Sequence, residues 1–576
     1  MNRFHFSKQI LTALVLSVVA LFVSVQAEAQ KAVRAKYLVI QGGTLIDATG
    51  KPPLEDAVIV LEGARIKSVG KRGEVEIPKG SRIVNVKGKT ILPGFIDGHC
   101  HLSDYMGELY LHLGVTTCPD ITLNEDDWTL AQRDGTNLGK IRGPRIWSTG
   151  ARLIGQSPPW AMRAGPGFGL FVKTAEEARS AVRKKKEMGL DIIKLNEYVS
   201  PEVAKAAADE ANRLGLPVTC HCLDVFLAAE AGFTGVEHHW SVGMTSISSD
   251  PVKRMEMHQA RMSAKVHFAE LAHYYETENF DKIIQAMVAK NVSWSPTIAT
   301  LYRTLSPSAE IFKARSLSIL DDPKAKGLAP TLRELALARD AKYKTFPPEQ
   351  LDLARDGYKK VQDFMRRFVK AGGVIRAGSD PNNGMPALGM HMELKMFVES
   401  GLTPMQALQA GTINVAKGFR KDKDFGTIEP GKVADITIIE GDPLKDIWVT
   451  QNVKMVILNG EVKNIDFQPG YQNPIPSPDP TWPYTPRTIE ISPRSIPQGS
   501  GPAILKVTTG RGGFLPYQRV SLNGIQLKTR FVSGRELEAT IPPRAIKKAG
   551  LYTVVVAAPG EFVNRSSPAF LVVPFK

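Results

Sequence analysis

The chain has 576 residues, of which 43% are hydrophobic and 23% are charged, a composition typical of globular proteins that excludes a disordered chain. A chain of this length is expected to form three or four folding units. The formal net charge of +15 comes from scattered lysines and arginines, and neither a basic-aromatic stripe nor a nucleic-acid motif accompanies them. We therefore predict a solvated basic surface and no nucleic-acid partner.

The first predicted element is a secretory signal peptide at residues 1–29. Arg3 and Lys8 precede a nearly continuous apolar run, which is followed by Ala27-Glu28-Ala29, the small-residue pattern of a signal-peptidase cleavage site. This order predicts cleavage after Ala29 and a periplasmic or secreted protein. The alternative is an uncleaved anchor, which would be the chain's only membrane association, since no later run is long and apolar enough to span a bilayer.

Two β-patterned segments flank the middle of the chain. Residues 30–93 alternate short β-rich runs with turns, and the same pattern recurs in residues 424–465. Period-two alternation with glycine punctuation predicts antiparallel strands. We expect the two segments to complete one small composite β-sandwich, with the residues between them inserted as another domain.

Residues 94–423 instead alternate short β runs with amphipathic helices. Eight candidate strands can be counted, in "GFIDGHCH", "GVTTC", "PRIWSTG", "LDIIKLN", "PVTCHC", "GFTGVEHHW", "NVSWSPTI" and "GGVIRAGSD". Alternating β and α elements favour a parallel sheet, and eight units favour a closed (β/α)₈ TIM barrel. The predicted fold class is therefore α/β.

The C-terminal part begins with a proline-rich stretch without periodicity, residues 466–484, which predicts a semi-rigid linker. Residues 485–576 are again β-patterned, with Asn523-Gly524 as a hairpin turn, and predict a separate Ig-like β-sandwich. The four cysteines of the chain are all predicted to be small buried hydrophobic residues rather than disulfide partners: Cys100, Cys118, Cys220 and Cys222.

Histidines and acids recur at the C-terminal ends of the predicted strands. Residues i and i+2 of a strand point the same way, so His99 and His101 form a pair suited to a metal ion. The ends of the other strands carry further candidates, which are Lys194, His221, His238 and Asp380. In a parallel barrel these ends converge on one face. Such a nitrogen- and oxygen-rich set suits zinc or a similar divalent ion, and His239 is expected to face away from it.

Seven motifs in this order resemble the metal-dependent amidohydrolase superfamily: "LPGFIDGHCHL", "GVTTCPDI", "IIKLN", "VTCHC", "GVEHHW", "AGSDP" and "GTINVAKGFRKDKDFGTIEPGKVADITIIEGDPLKDI". The resemblance is strongest to its imidazolonepropionase-like and dipeptidase-like branch and covers about residues 37–465. It implies a metal-binding barrel beside a sandwich formed by both flanks. It also implies that His99, His101 and Asp380 bind one ion, and that His221 and His238 bind a second.

The same resemblance implies that Lys194 is carboxylated and that its carbamate bridges two divalent ions, for which zinc is expected. A metal-bridging hydroxide would then attack the substrate carbonyl, and Asp380 would shuttle the proton to the leaving nitrogen. The implied function is that of an exported metal-dependent amidohydrolase, which hydrolyses a C–N bond in a small-molecule or dipeptide-like substrate or in a cyclic amide. Tyr198 and Arg152 are candidates for substrate contact, Arg152 through a substrate carboxylate.

Two other functions stay open. One is a mononuclear deaminase with the same barrel, although a site with one metal has no need of a bridging lysine carbamate. The other is a non-catalytic envelope protein that binds through its terminal sandwich. That sandwich resembles an IPT/TIG immunoglobulin-like domain in its "SP…G", "LNG" and "AGLYTV" stretches, and its partner is unknown. A homo-oligomer is left open as well.

Overall fold

The structure is a computed structural model. It describes residues 36–121, 126–155, 169–196, 199–262, 270–328, 346–381, 385–475, 488–511, 514, 519–523, 525–533, 536–557 and 569–573. The predicted signal peptide, Tyr198, Gly524 and residues 476–484 of the predicted linker lie outside these ranges. Within them, no helix combines the length and the hydropathy that a bilayer crossing requires.

The described chain is a mixed α/β fold. Its strands are β1 Tyr37–Leu45, β2 Leu54–Glu62, β3 Arg65–Lys71, β4 Arg82–Asn85, β5 Thr90–Pro93, β6 Phe95–Ile96, β7 Val115–Asp120, β8 Arg145–Ser148, β9 Leu153–Ile154, β10 Leu170–Phe171, β11 Ile193–Leu195, β12 Val218–Cys220, β13 Gly235–Glu237, β14 Ser293–Ser295, β15 Ile436–Ile439, β16 Val453–Leu458, β17 Glu461–Lys463, β18 Thr488–Ser492, β19 Ser495–Pro497, β20 Ala503–Arg511, β21 Arg519–Leu522, β22 Ile525–Gln526, β23 Lys528–Ser533, β24 Glu536–Ile541, β25 Gly550–Ala557 and β26 Ala569–Val573. Its α-helices are α1 Gly107–His112, α2 Asp126–Asn137, α3 Ala175–Glu187, α4 Pro201–Arg213, α5 Val225–Glu230, α6 His238–Ile247, α7 Pro251–Met262, α8 Phe280–Ala289, α9 Ile298–Tyr302, α10 Ala309–Leu320, α11 Pro348–Lys370, α12 Leu388–Glu399, α13 Pro404–Ala410 and α14 Ile413–Gly418.

The two flanks of the chain share one sheet. Its strand order is β17-β16-β15-β5-β1-β2-β3, and β4 pairs with β1. The flanks meet where β5 runs antiparallel to β15, with Ile91 opposite Ile438. Alternate apolar side chains of both flanks, such as Ile59 and Ile436, bury themselves in one cluster under this sheet. The two flanks therefore join in a single sheet, whereas the predicted composite sandwich stays a prediction.

Parallel strands form the middle of the molecule. Strands β10-β9-β11-β12-β13-β14 make one parallel sheet and β6-β7-β8 make another. Helices α3, α4 and α5 connect successive strands of the first sheet. Helix α4 begins where it does because Ser200 caps it and Pro201 fills its first position, which needs no backbone donor. Parallel pairing places the carboxyl ends of these strands at one edge, where the candidate ligands follow them.

The predicted eighth strand, "GGVIRAGSD", is wrong as a regular strand. The segment makes only an isolated bridge, between Trp294 and Ile375, although Gly98 N also donates to Ala377 O at 2.8 Å. The glycines explain the irregular path, because they let the segment approach its neighbour closely. A Cβ atom on Gly378 would lie 2.5 Å from the His99 Cβ atom.

The C-terminal residues form two sheets around one apolar core. The first sheet has the order β18-β20-β24-β23 and the second the order β19-β26-β25-β21-β22. Leu505 and Leu537 from the first sheet pack with Val520 and Val554 from the second. This two-layer arrangement agrees with the β pattern of the sequence.

The four cysteines are buried as predicted, but the prediction that they do not form disulfides was wrong. The structure pairs Cys100 with Cys118 and Cys220 with Cys222 as disulfides. The first pair joins neighbouring parallel segments, and its Cα atoms are 6.2 Å apart, within the range that a disulfide spans. Sequence spacing did not reveal this adjacency, because it depends on the register between two strands.

Candidate metal centre

Two groups of ligand atoms meet at the edge where the parallel strands end. His99, His101 and Asp380 form one group, and His99, His221 and His238 form the other. Within each group the candidate ligand atoms all lie within 4.8 Å of one another. Five of the six side chains that the sequence analysis proposed as ligands are thus brought together, from positions up to 281 residues apart (380 − 99).

The first group is built by the segment after β6 and the segment that contains Asp380. His101 Nε2 lies 3.5 Å from Asp380 Oδ1. The backbone N–H of Asp380 donates to the His99 carbonyl at 2.9 Å, which fixes the two segments side by side. All three side chains are buried. Their positions therefore depend on backbone pairing as well as on side-chain packing.

The second group joins the ends of β12 and β13. His221 follows β12, His238 follows β13, and their Nε2 atoms face each other at 2.9 Å. The Nδ1 atom of His238 lies 2.7 Å from the Thr297 hydroxyl. A proton on Nδ1, donated to that hydroxyl, leaves Nε2 with a lone pair directed at His221. This is the tautomer that a metal ligand needs.

Two of the candidate ligands have unusual backbone conformations. His238 has a φ of 64° and Asp380 has a φ of 38°, both in the left-handed region that disfavours residues with a side chain. Such a conformation costs about 1–3 kcal/mol and persists only when surrounding contacts hold it. Strain of this kind at two members of one cluster points to a functional site.

The electrostatics of the cluster favour neutral imidazoles. Burial lowers the pKa of His101, His221 and His238 well below the usual value, and the neighbouring positive charges lower it further. A neutral imidazole is the form that binds a metal ion. The arrangement is therefore ready to accept a cation without first releasing protons.

Lys194 lies within this electrostatic environment. It is the middle residue of β11, only 2% exposed, and its charge contributes to the lowered pKa of His101, His221 and His238. Its β12 neighbour is Thr219, two residues before His221. Lys194 thus lies near the cluster, although it occupies the middle of β11 rather than the strand end that the sequence suggested.

A buried carboxylate that the sequence analysis missed orients His99. Glu237 Oε2 accepts a hydrogen bond from His99 Nδ1 at 2.7 Å, and Glu237 Oε1 accepts one from Arg376 Nη2 at 2.8 Å. The Thr219 hydroxyl donates to the same Oε1 atom. Burial alone would raise the pKa of Glu237, but the charges of Arg376, Lys194 and His99 outweigh it and hold that pKa well below its usual range.

Both missed residues carried a signal in the sequence. Glu237 and Arg376 are charged residues inside the otherwise apolar runs "GVEHHW" and "VIRAGSD". Charged residues are almost never fully buried unless they are paired, yet both are 0% exposed here. Opposite charges inside two apolar runs of the sequence could have suggested that Glu237 and Arg376 pair with each other, as they do in the structure.

We predict that Glu237→Gln lowers Zn²⁺ affinity by about 10- to 100-fold, the usual effect of removing a carboxylate that orients a ligand histidine. The amide keeps the shape but loses the charge that balances Arg376 and holds the proton on His99 Nδ1. Competition with a chromophoric chelator measures the affinity. The matched control is Glu210→Gln, since Glu210 also pairs with an arginine, Arg213, but on the outer helix α4. Equal zinc affinity in both variants would contradict this role.

Of the two residues proposed for substrate contact, the structure describes only Arg152. Arg152 is buried, and its charge is among those that, after burial, lower the pKa of His101 and His221. Arg152 therefore lies beside the cluster, whereas Tyr198 lies outside the described residues.

His239 does turn away from the cluster, and its Nδ1 atom is 2.8 Å from the Tyr275 hydroxyl. Asn196, which was not considered, has a buried amide whose two polar atoms make no hydrogen bond with the described residues.

The residues fit a divalent metal ion. His99 Nε2 is buried and has no hydrogen-bond partner in the described part of the chain, although Glu237 fixes the proton on the opposite ring nitrogen. A buried nitrogen lone pair without a partner is costly unless it binds a cation. Together with the carboxylate of Asp380, the imidazoles form the nitrogen and oxygen set typical of zinc sites.

One known protein family matches the chain over this fold. The profile described as "Amidohydrolase family" matches residues 171–463, just over half of the 576 residues. The chain belongs to the amidohydrolase family. This amidohydrolase is a hydrolase of carbon–nitrogen bonds, as the sequence motifs predicted.

Individual relatives of this amidohydrolase are distant but extend over most of it. The imidazolonepropionase of Symbiobacterium thermophilum is 24% identical over 441 residues, 70% of this chain and 90% of the relative. The ochratoxinase of Aspergillus niger is 24% identical over 488 residues, 73% of this chain and 85% of the relative.

Solved structures show the same fold. A prolidase described as putative, from Bifidobacterium longum, has a TM-score of 0.55 at 23% identity and covers 76% of this chain and 96% of its own. A Xaa-Pro dipeptidase with bound methionine has a TM-score of 0.52 at 21% identity and covers 74% of this chain and 100% of its own. At these identities the similarity concerns the fold alone.

Proposed function

We propose that this amidohydrolase is exported and hydrolyses an amide bond at a centre of two divalent ions, which we take to be zinc. The observation that supports a centre of two ions most directly is that five candidate ligand side chains gather there, more than the four ligands that a single zinc ion usually takes. The signal-like residues 1–29 support export. The C-terminal sheets are proposed to be an IPT/TIG domain, on the sequence stretches described above.

We also propose that the parallel strands close into a (β/α)₈ barrel. Hydrogen bonds between the two parallel sheets support closure, since Asp191 N donates to Ser148 O at 2.8 Å beside β8. On the other side, Gly98 N donates to Ala377 O, and Arg376 N donates to Trp294 O beside β14. A closed barrel would direct every strand end toward the same face.

In this proposal His99, His101 and Asp380 would hold one ion and His221 and His238 the other, and a carbamate on Lys194 would supply oxygen ligands to both. The neutral amine of Lys194 would form a bond to the carbon of CO₂ and lose one proton, so that it becomes an anionic carbamate with two oxygens. Burial disfavours the positively charged ammonium form of the Lys194 side chain. A carbamate removes this conflict.

When bound, the ions would supply Lewis-acid chemistry, polarising the substrate carbonyl and making water more acidic. The protein's own residues would move the proton. Asp380 accepts a proton from the attacking water on a carboxylate oxygen and then gives it to the leaving nitrogen, which departs as the amine. Glu237 holds the ring of His99, and Thr297 holds that of His238, throughout this exchange.

We further propose that the substrate carries a carboxylate near the scissile amide. Arg152 supports this, because a buried guanidinium beside the cluster can form two parallel hydrogen bonds with a carboxylate. Dipeptides and N-acyl amino acids have this chemistry. The similarity to proteins named as Xaa-Pro dipeptidase and prolidase motivates the same substrate class.

The test is a screen of zinc-loaded full-length protein against dipeptides, N-acyl amino acids and lactams, each paired with an analogue whose carboxylate is converted to a primary amide. We expect a carboxylate-bearing amide to release its amine and the capped analogue to react more slowly. A chelator should stop turnover and zinc should restore it. Ammonia release from an amino-heterocycle, with one ion per chain, would identify the deaminase instead. No turnover of any compound by fully loaded protein would favour the non-catalytic envelope protein.

A further inference from the structure

Helix α9 follows β14 directly and contacts both strained ligands. Thr297, the residue before the helix, places its hydroxyl 2.7 Å from His238 Nδ1. Within the helix, the Thr300 hydroxyl donates to the backbone carbonyls of Ser379 and Asp380 at 3.3 and 3.4 Å. One short helix therefore touches a member of each ligand group.

The N-terminus of α9 lacks its ordinary cap. A threonine at this position usually accepts a hydrogen bond from the backbone two or three residues later. Thr297 makes no such bond, because its hydroxyl is directed at His238 and its backbone is left-handed, with φ 50° and ψ 45°. The first N–H groups of the helix would be left without an acceptor, which costs about 1–3 kcal/mol for each buried group.

Glu393 supplies the missing acceptors from a different helix. Its side chain extends from α12, where its Oε1 atom accepts from Ile298 N at 3.0 Å and its Oε2 atom accepts from Ala299 N at 2.7 Å. The residue is 0% exposed and lies about a hundred residues further along the chain. Burial raises the pKa of Glu393 to about 8, and the hydrogen bonds from the backbone of Ala299 and Ile298 lower it in turn.

We propose that Glu393 is a positioning residue for the metal centre, because its cap on α9 frees the Thr297 hydroxyl to orient His238 and fixes Thr300 against the Asp380 backbone. The inference rests on the proposed function only in assuming that the cluster binds metal ions. Without the cap, Thr297 would turn its hydroxyl to the helix. His238 would then lose the acceptor that keeps its proton on Nδ1, and a proton on Nε2 would block the ligand atom.

Cobalt binding to the full-length protein tests this without any substrate. We expect Glu393→Ala to lower the affinity of one of two Co²⁺ ions by about 10- to 100-fold, as for other residues that orient ligands. The visible Co²⁺ absorption of that ion should change, and Glu393→Gln, which keeps one acceptor, should be intermediate. The matched control is Glu399→Ala, because Glu399 lies on the same helix and accepts from the Ser306 hydroxyl at 2.6 Å, away from Thr297.

A second pair of variants keeps the test decisive if Glu393→Ala does not fold. Thr297→Val removes only the hydroxyl and should weaken the same Co²⁺ ion, whereas Thr297→Ser should restore its binding and spectrum. Wild-type Co²⁺ affinity and spectrum in either Glu393→Ala or Thr297→Val would overturn the proposal. Failure of the wild-type protein to bind Co²⁺ would instead refute the metal centre itself, so the two failures are distinguishable.

Discussion

Replacing Asp380 with asparagine should lower turnover by about a thousandfold, the middle of the range for removal of a general acid–base group. Asparagine keeps the size of the side chain and an oxygen that can bind a metal, but it cannot accept a proton from water and return it to the leaving nitrogen. Asp380 Oδ1 lies 3.5 Å from His101 Nε2, and the backbone of Asp380 is in the left-handed region. The position of the carboxylate is therefore strongly constrained. Steady-state kinetics on the substrate found by the screen would measure the loss.

The metal content of the same sample must be measured, because loss of an ion would lower turnover for a different reason. Asp435→Asn is the matched control. Asp435 is also a buried aspartate and pairs with Arg145 at 3.0 Å, but it lies in the flanking sheet at the start of β15. Full turnover by pure Asp380→Asn protein with both ions bound would exclude the proton shuttle.

Lys194→Ala should bind one ion instead of two and lose most of its activity, by about a hundredfold or more, since no other anion is expected to bridge the pair. Elemental analysis of metal per chain measures the first effect. Incorporation of ¹³C-bicarbonate, followed by NMR, measures the carbamate directly in the wild-type protein. Added short-chain carboxylates should restore part of the activity of the variant, because they can occupy the space of the carbamate.

Lys185→Ala provides the comparison for this variant. Lys185 is another buried lysine, but its Nζ atom donates to Asp126 at 2.7 Å and so it has an anionic partner of its own. We expect this variant to lose stability and to keep two ions. Two bound ions in Lys194→Ala, or a wild-type protein without the ¹³C signal, would contradict the bridging carbamate.

The sequence was informative about the candidate ligands because each one follows an apolar run. His221 and His238 directly follow β12 and β13, His99 lies three residues after β6, and parallel pairing turns this local pattern into spatial proximity. Glu237, Arg376 and Glu393 could not be placed in the same way. Their roles depend on which strands and helices are neighbours, and the carboxylate of Glu393 contacts a helix encoded about a hundred residues earlier.

The errors in the fold have similar causes. The segment around Ile375 has the composition of a strand, but its glycines allow an irregular path that leaves a single bridge. The disulfide between Cys100 and Cys118 depends on register, which the spacing of 18 residues does not reveal. Alternation patterns predict that an element exists, whereas close approach and register are set by tertiary packing.

The pairing of β5 with β15 has a consequence for the biogenesis of the protein. Ile91 cannot pair with Ile438 until Ile438 has been synthesised. At ribosomal speeds of about 5–20 residues per second, the intervening 347 residues (438 − 91) take roughly 20–70 s to emerge. Throughout that interval a nascent chain exposes the unpaired hydrogen-bonding edge of β5, which can associate with other chains. Pairing of the two flanks is therefore a late step in the synthesis of the chain, and chaperones that shield strand edges should strongly affect the yield of this protein.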